Sequence, residues 1–171
     1  VPLVEDTSFA RKTESLRALV RYEYDAAVGR AAQTIENSLS ELVNEDRFSD
    51  ALKLLDGDMQ GLGQDIRIRI QAEHVPRMKT AVLDAASKRA DSLMARAAEN
   101  AAAGEHNAAT ELLDRIETFN IPSLTKAATQ QKERMRREQA MRKQESLDSR
   151  QMLRTVFDEV RSLASRREYA A

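Results

Sequence analysis

The sequence predicts an all-α protein, and three of its properties support that prediction. The 171 residues include only five Gly and three Pro, and aromatic residues make up 4% of the chain. Strands depend on β-branched and aromatic residues and on frequent turns, whereas this chain is rich in Ala, Leu, Glu, Arg and Gln, which favour helices. Apolar residues recur at spacings of three and four, as on one face of a helix. We therefore expect long antiparallel helices in a hairpin or bundle, with short helix-turn-helix units.

A long first helix is predicted from the cap region Asp6–Ser8 to about Asn44. At about 1.5 Å per residue it would span roughly 55 Å, which exceeds the usual globular helix and indicates a bundle, a hairpin or a coiled coil. One apolar stripe runs along it and predicts its buried face. The stripe consists of Leu16, Val20, Tyr24, Ala27, Ala31, Ile35, Leu39 and Leu42.

A turn at residues 44–47 leads to a second helix over Ser49–Asp56, and the glycine-rich stretch Asp56–Asp65 predicts a loop. The segment Ile66–Ile70 alternates strictly between apolar and polar residues, as a strand does. Five residues without a partner strand cannot form a sheet, so we predict a helix whose first and last Ile face inward. Pro76 either ends or kinks that helix, or opens the next one in its first turn.

The stretch Ala81–Asp114 contains the clearest helix-turn-helix unit. An Ala-rich helix is predicted to run to Ala103 and to end at Gly104, since glycine suits the left-handed conformation that closes many helices. Asn107 is expected to cap the next short helix, over Ala108–Thr118. Both helices offer apolar residues at helical spacing, so both are expected to pack into a core.

The last helix is predicted from about Ser123 to Arg167, with Pro122 at its start. Its middle, residues 129–146, contains only three apolar residues, and a helix that is polar all round either bridges solvent or docks on something polar. Its end has a sharp apolar stripe with Met152 and Phe157 beside it. The stripe, the predicted surface for self-association or for a partner, consists of Leu153, Val156, Val160 and Leu163.

A shift of 58 residues superimposes two similar segments, DALKLLD at residues 50–56 and AATELLD at residues 108–114. Each follows a tight turn after a long helix. We therefore predict a two-copy repeat of about 58 residues, with a two-unit helical-hairpin region over residues 1–121 and a long C-terminal helix over residues 122–171. Repeat proteins usually need three or more units.

Two resemblances follow from these segments. The pattern of a small turn residue followed by A-x-x-L-L-D is similar to tetratricopeptide-like hairpins, but a period of 58 instead of about 34 argues against such an array. The segments NEDRFSDALKLLD and AAAGEHNAATELLD, within residues 31–145, resemble helical stretches of the internal ejection proteins of short-tailed bacteriophages. That resemblance implies a structural virion protein of a DNA-ejection apparatus, and it transfers no functional residue.

The charge distribution gives a second candidate function. The chain has a net charge of −1, but residues 122–171 contain 12 Lys and Arg against 7 Asp and Glu. The segment Lys132–Lys143 has a net charge of +4 and could lie along phosphates as part of a nucleic-acid-binding accessory protein. It lacks aromatic residues for base stacking. Its cations are Lys132, Arg134, Arg136, Arg137, Arg142 and Lys143.

No pattern in the sequence predicts an enzyme, a cofactor or a metal site. The absence of Cys excludes disulfides and thiolate chemistry. Asp56–Gly61 is similar to the start of a calcium loop, but the position that needs a bidentate carboxylate is Arg67, so we interpret it as a glycine hinge. His74 and His106 lie in different predicted turns and are expected to be structural or surface residues.

The sequence predicts that the partners of this protein are helical chains, either copies of itself or other proteins. We expect a homo-oligomer or an adaptor completed by other helical chains. No apolar run approaches the ~20 residues of a membrane span, and no signal peptide is visible, so the virion or the cytoplasm is the expected location. Because the chain begins with Val1, we expect a processed chain or a piece of a longer one.

Overall fold

The computed structural model describes residues 5–168 apart from 58 and 60, and their side chains from residue 9 to 165. This part of the chain is all-α, as predicted, and contains no strand. The cap region Asp6–Ser8 lies outside the described side chains. The helices are α1 (Glu5–Asn44), α2 (Phe48–Asp56), α3 (Gln64–Glu73), α4 (Val75–Ala102), α5 (His106–Glu117) and α6 (Pro122–Glu168).

The alternating Ile66–Ile70 segment is helical, as predicted, because it lies within α3 and buries Ile70 completely. Pro76 occupies the first turn of α4, where its missing N–H would have had no partner inside the helix. Gly104 adopts a positive φ of 86° in the turn after α4. The positions of Pro76 and Gly104 follow from local backbone chemistry, whereas the burial of Ile70 depends on packing against other helices.

The predicted cap at Asn107 is wrong. Helix α5 begins at His106, two residues before the predicted start at Ala108, and no side chain caps it. The backbone closes this turn instead, since the N–H of Glu105 donates to the carbonyl of Asn100 at 2.8 Å. The N–H of Ala109 then donates to the carbonyl of Glu105, so the turn is ordered without a capping side chain.

The turn between α1 and α2 repeats this hydrogen-bond pattern 58 residues upstream. The N–H of Arg47 donates to Leu42, and that of Ala51 donates to Arg47. Asp46, like Gly104 in the later turn, has a positive φ. The chain then diverges, because α2 leads through a loop to α3 whereas α5 leads directly into α6. The two turns are alike, and the two-copy repeat as a whole stays a prediction.

Ion pairs fix the directions of the helices. Asp25 of α1 pairs with Arg69 of α3. Asp46, in the turn that follows α1, pairs with Arg89 of α4. Later residues of α1 and its turn thus meet later residues of the α3–α4 segment, so α1 runs in the same direction as α3 and α4. Asp46, just before α2, pairs with Arg89, whereas Asp56 at the end of α2 pairs with Lys79, so α2 runs antiparallel to α4.

The second half of the bundle repeats this arrangement. Helix α5 returns along α4, and Lys132 of α6 pairs with Asp114 and Glu117 of α5. Thr129, three residues before Lys132, donates to Glu117, three residues after Asp114, so α6 runs antiparallel to α5. Antiparallel packing joins α1 to α2 and α4 to α5, and the three long helices α1, α4 and α6 share one direction.

The core lies where the two halves of the bundle meet. The rings of Phe48 and Phe119 pack edge to face, with centroids 4.7 Å apart, and both are almost fully buried. Alanines on α4, among them Ala86, Ala90 and Ala97, are fully buried and allow neighbouring helices to approach closely. The core continues into the first part of α6 through Met135. The division into domains at residue 122 stays a prediction.

A single carboxylate links three elements beside this core. Asp46 accepts two parallel hydrogen bonds from the guanidinium of Arg89, at 3.0 and 3.1 Å, and one from Arg115 at 2.5 Å. Its side chain is only 14% exposed. Bidentate, charge-assisted bonds of this kind add geometric specificity, so Asp46 fixes the α1–α2 turn against α4 and α5.

Candidate assembly surfaces

The first part of α1 extends beyond the bundle. The bundle begins near Tyr24, whose hydroxyl donates to the carbonyl of Asp65 at the start of α3. Before that point, all described side chains except that of Thr13 are exposed. Leu16 and Val20 are 62% and 68% exposed. The prediction that they belong to the buried face is therefore wrong, because α3 begins too late to cover them.

The exposed apolar residues Phe9, Leu16 and Val20 form what we call the α1 stripe. They are spaced by seven and four residues, which places them on one helical face. A shallow apolar hollow on this face is lined by side chains at positions 13, 16, 17 and 20, and continues to Tyr24. Positions i, i+3, i+4 and i+7 form the hole that receives a side chain from a neighbouring helix in a coiled coil.

The second half of α6 extends from the other end of the bundle. All described side chains from Gln139 to Ser165 are exposed, over about 40 Å of helix at roughly 1.5 Å per residue. The four residues predicted for self-association lie here and are each at least half exposed. We call this set, Leu153, Val156, Val160 and Leu163, the α6 stripe.

The two extensions point in opposite directions. Helix α1 enters the bundle from its extension, and α6, which runs in the same direction, leaves the bundle into its own. Among the described residues, α1 and α6 are not in contact. The α1 and α6 stripes of one molecule therefore cannot cover each other.

Three of the six cations in the basic segment of α6 are paired with carboxylates, and one of them, Lys132, is held by another helix. Lys132, only 13% exposed, donates to Asp114 and Glu117 at 2.5 and 2.6 Å. Burial lowers the pKa of Lys132, but the hydrogen bonds to the two carboxylates raise it, and the net pKa lies above the ordinary lysine value. Lys132 is therefore a link between α5 and α6 and is not positioned to bind phosphate.

The other cations of this segment divide into two groups. Arg134 pairs with Glu138, and Arg137 pairs with Glu133, each one turn away on the same exposed surface. Within the described chain, the remaining cations take part in no ion pair. They are Arg136, Arg142 and Lys143. The structure thus leaves three unpaired cations where the sequence offered six.

A histidine and a carboxylate share one groove of the described residues. A groove of about 400 Å³ between α1 and α4 contains one histidine, His74, and one carboxylate, Glu36. No hydrogen bond joins these two side chains. The described residues contain no group of three metal-binding side chains, although the calcium-like segment includes residues 58 and 60, which the structure does not describe. None of the described helices is both long and apolar enough to cross a bilayer.

Comparisons with protein-family models, with curated proteins and with solved structures found no match. The functional conclusions therefore depend on the two exposed stripes. The sequence identified the α6 stripe but assigned Leu16 and Val20 of the α1 stripe to the buried face of α1. The relevant signal was the length of the α1 pattern, which extends further than the short helices could cover.

Proposed function

We propose that the protein is a non-enzymatic structural protein that assembles with other copies of itself through its exposed helix ends. The observation that carries this proposal is the α6 stripe, which presents four large aliphatic side chains to solvent on the part of α6 that no other described helix covers. Their spacing of three, four and three residues is that of the seam of a coiled coil. Apolar surface of this kind on a soluble chain usually marks an interaction site.

The ion pairs favour assembly over nucleic-acid binding as the main role. Nucleic-acid affinity grows with the number of cations free to neutralise phosphates, and here Lys132 is held by two carboxylates of α5. The α6 stripe, by contrast, lies wholly outside the bundle. A virion core or a DNA-ejection apparatus is one assembly to which an elongated helical protein of this kind could belong. That part of the proposal rests on the sequence resemblance alone.

The test is the absolute mass of the protein in solution, measured by light scattering on a sizing column at low and high salt. The wild type should form a defined oligomer or a larger assembly that survives high salt, because apolar contacts are not screened as ion pairs are. Val156→Asp should remove the assembly, since its carboxylate would have to be buried without a partner.

Ser162→Asp provides the matched control. It introduces the same carboxylate on the same exposed part of the helix. Because successive residues are rotated by about 100°, Ser162 lies about 200° around the helix axis from Val160. Ser162→Asp should therefore have the same mass in solution as the wild type. Both variants should retain the helical content of the wild type, because neither residue touches the core. A wild type that is monomeric at every concentration would refute self-association.

A further inference from the structure

The α1 stripe continues a surface that already binds a helix within the same molecule. Val20 is followed on the same helical face by Tyr24 and Ala27, which are half-buried. At Tyr24 the face is covered by α3, through the hydrogen bond to Asp65 and the ion pair between Asp25 and Arg69. The contact stops there because α3 begins at Gln64. The exposed stripe is thus the uncovered part of an established helix-helix interface.

The fold indicates the direction in which a helix that covers the α1 stripe would run. Helix α3 lies parallel to α1, so a helix that extends this interface backwards along α1 should also run parallel to it. Helix α6 runs in that same direction and leaves the bundle at the far end. If two molecules are placed end to end in the same orientation, the α6 extension of one reaches the α1 extension of the next with this polarity.

The dimensions and charges of the two extensions also match. The α1 stripe covers residues 9–20 and the α6 stripe covers residues 153–163, so each extends over about three turns. Arg17 and Arg21 line the hollow on α1, while Glu159 lies one residue before Val160 along one edge of the α6 stripe. Residues 9–23 contain four cations and two carboxylates, and residues 144–165 contain three cations and four carboxylates.

We propose that the α6 stripe of one copy binds the α1 stripe of a second copy, with the two helices parallel. This inference rests on the proposed self-assembly and names the two surfaces that form each junction. A pairing of two α6 stripes would leave the hollow on α1 open, whereas this arrangement covers both exposed surfaces. Since the junction joins different surfaces, it repeats from copy to copy and builds a ring or a filament.

The test mixes two variants, each of which lacks one surface. Val20→Asp disables the α1 stripe and Val156→Asp disables the α6 stripe. Each variant alone should be monomeric, because every junction in it combines one intact and one damaged surface. A 1:1 mixture should contain a species of twice the monomer mass and nothing larger, since only one junction in the mixture is intact. Ser15→Asp, on another face of the α1 extension, should assemble like the wild type.

The outcomes separate this inference from the proposed function. If Val20→Asp still assembles while Val156→Asp does not, the α6 stripe pairs with itself. In that case the head-to-tail junction is refuted and self-assembly stands. If both variants are monomeric and their mixture is monomeric too, the pairing of these two surfaces is refuted. If the wild type is monomeric, or if both variants assemble as it does, both proposals fall.

A cross-linking experiment reports the same junction directly. The chain has no Cys, so single cysteines can be introduced without background. Under mild oxidation, a mixture of Val20→Cys and Leu163→Cys chains should give a disulfide-linked dimer that contains one chain of each kind, because each residue is the last of its stripe and the two lie side by side when the stripes are parallel. Cross-linking of Leu163→Cys chains with one another, and not with Val20→Cys chains, would overturn the head-to-tail arrangement.

Discussion

Substitution of Phe48 or Phe119 provides the strongest test of the packing described for the core. They join the α1–α2 half of the bundle to the α4–α6 half, and their side chains are 1% and 0% exposed. Truncation of a buried Phe to Ala costs about 3–5 kcal/mol, because it removes apolar burial and leaves a cavity. Each single substitution, Phe48→Ala or Phe119→Ala, should therefore lower the free energy of unfolding by that amount. Such a loss is a large part of the roughly 5–15 kcal/mol that stabilises a typical domain.

The edge-to-face contact adds a specific contribution that a double-mutant cycle can isolate. Ring pairs at this separation are worth about 0.5–1.5 kcal/mol beyond the area they bury. The double variant should therefore lose less stability than the sum of the two single losses, by about that amount. Denaturant unfolding followed by circular dichroism, at a concentration where the protein is monomeric, measures all three values.

The matched control is the same substitution at Phe157, which lies on the exposed part of α6. Phe157→Ala should change the free energy of unfolding by no more than about 0.5 kcal/mol, because the side chain touches no core residue. Equal losses at Phe48 and Phe157 would show that the core does not lie where the two halves meet, and would refute the described packing.

Three further substitutions test the turns and the links between helices by the same unfolding measurement. Gly104→Ala should lower the free energy of unfolding by about 1–2 kcal/mol, because φ is positive at Gly104. Gly29→Ala, at an open position within α1, should raise the free energy of unfolding by up to about 1 kcal/mol. A change of the same sign in both variants would contradict the turn geometry. Asp46→Asn should lower the free energy of unfolding by about 1–2 kcal/mol, because it weakens the hydrogen bonds from Arg89 and Arg115, while asparagine still tolerates a positive φ. As a control, Asp50→Asn in an exposed ion pair should lower it by less than about 0.5 kcal/mol. Lys132→Met should cost about 1 kcal/mol at neutral pH. The pKa of Lys132 is raised above its ordinary value of 10.5, so this contribution is complete below that value and is lost as the pH rises through the folded-state pKa; a difference from wild type that persists at higher pH would exclude the ion pairs as its cause.

Much of the secondary structure could be predicted from the sequence because it depends on local chemistry. The scarcity of Gly and Pro, the apolar spacing and the positions of Pro76, Gly104 and Pro122 predict most helices to within a few residues. The start of α5 could not be predicted in this way, since Asn107 is a better cap by residue type than Glu105. The backbone bond from Glu105 to Asn100 closes the turn first, and it depends on the left-handed Gly104.

The candidate site was only half predictable, for a reason that lies in the tertiary structure. On α1, Leu16 and Leu39 belong to one apolar pattern, yet one is exposed and the other is buried. The pattern shows which face of a helix is apolar, but it does not show how far a neighbouring helix extends along that face. Similarly, the charge of Lys132 was evident from the sequence, but its two carboxylate partners lie on α5, 15 and 18 residues away.

By itself, the sequence determined that this protein is helical, where most of its helices turn, and that the end of its last helix is apolar on one face. Only the tertiary structure decided the shared direction of α1, α4 and α6, and with it the exposure of an apolar stripe at each end. The physical reason is that helix formation depends on residues within a few positions of one another. Direction and coverage depend instead on ion pairs and packing between residues far apart in the chain, such as Asp46 with Arg89 and Phe48 with Phe119.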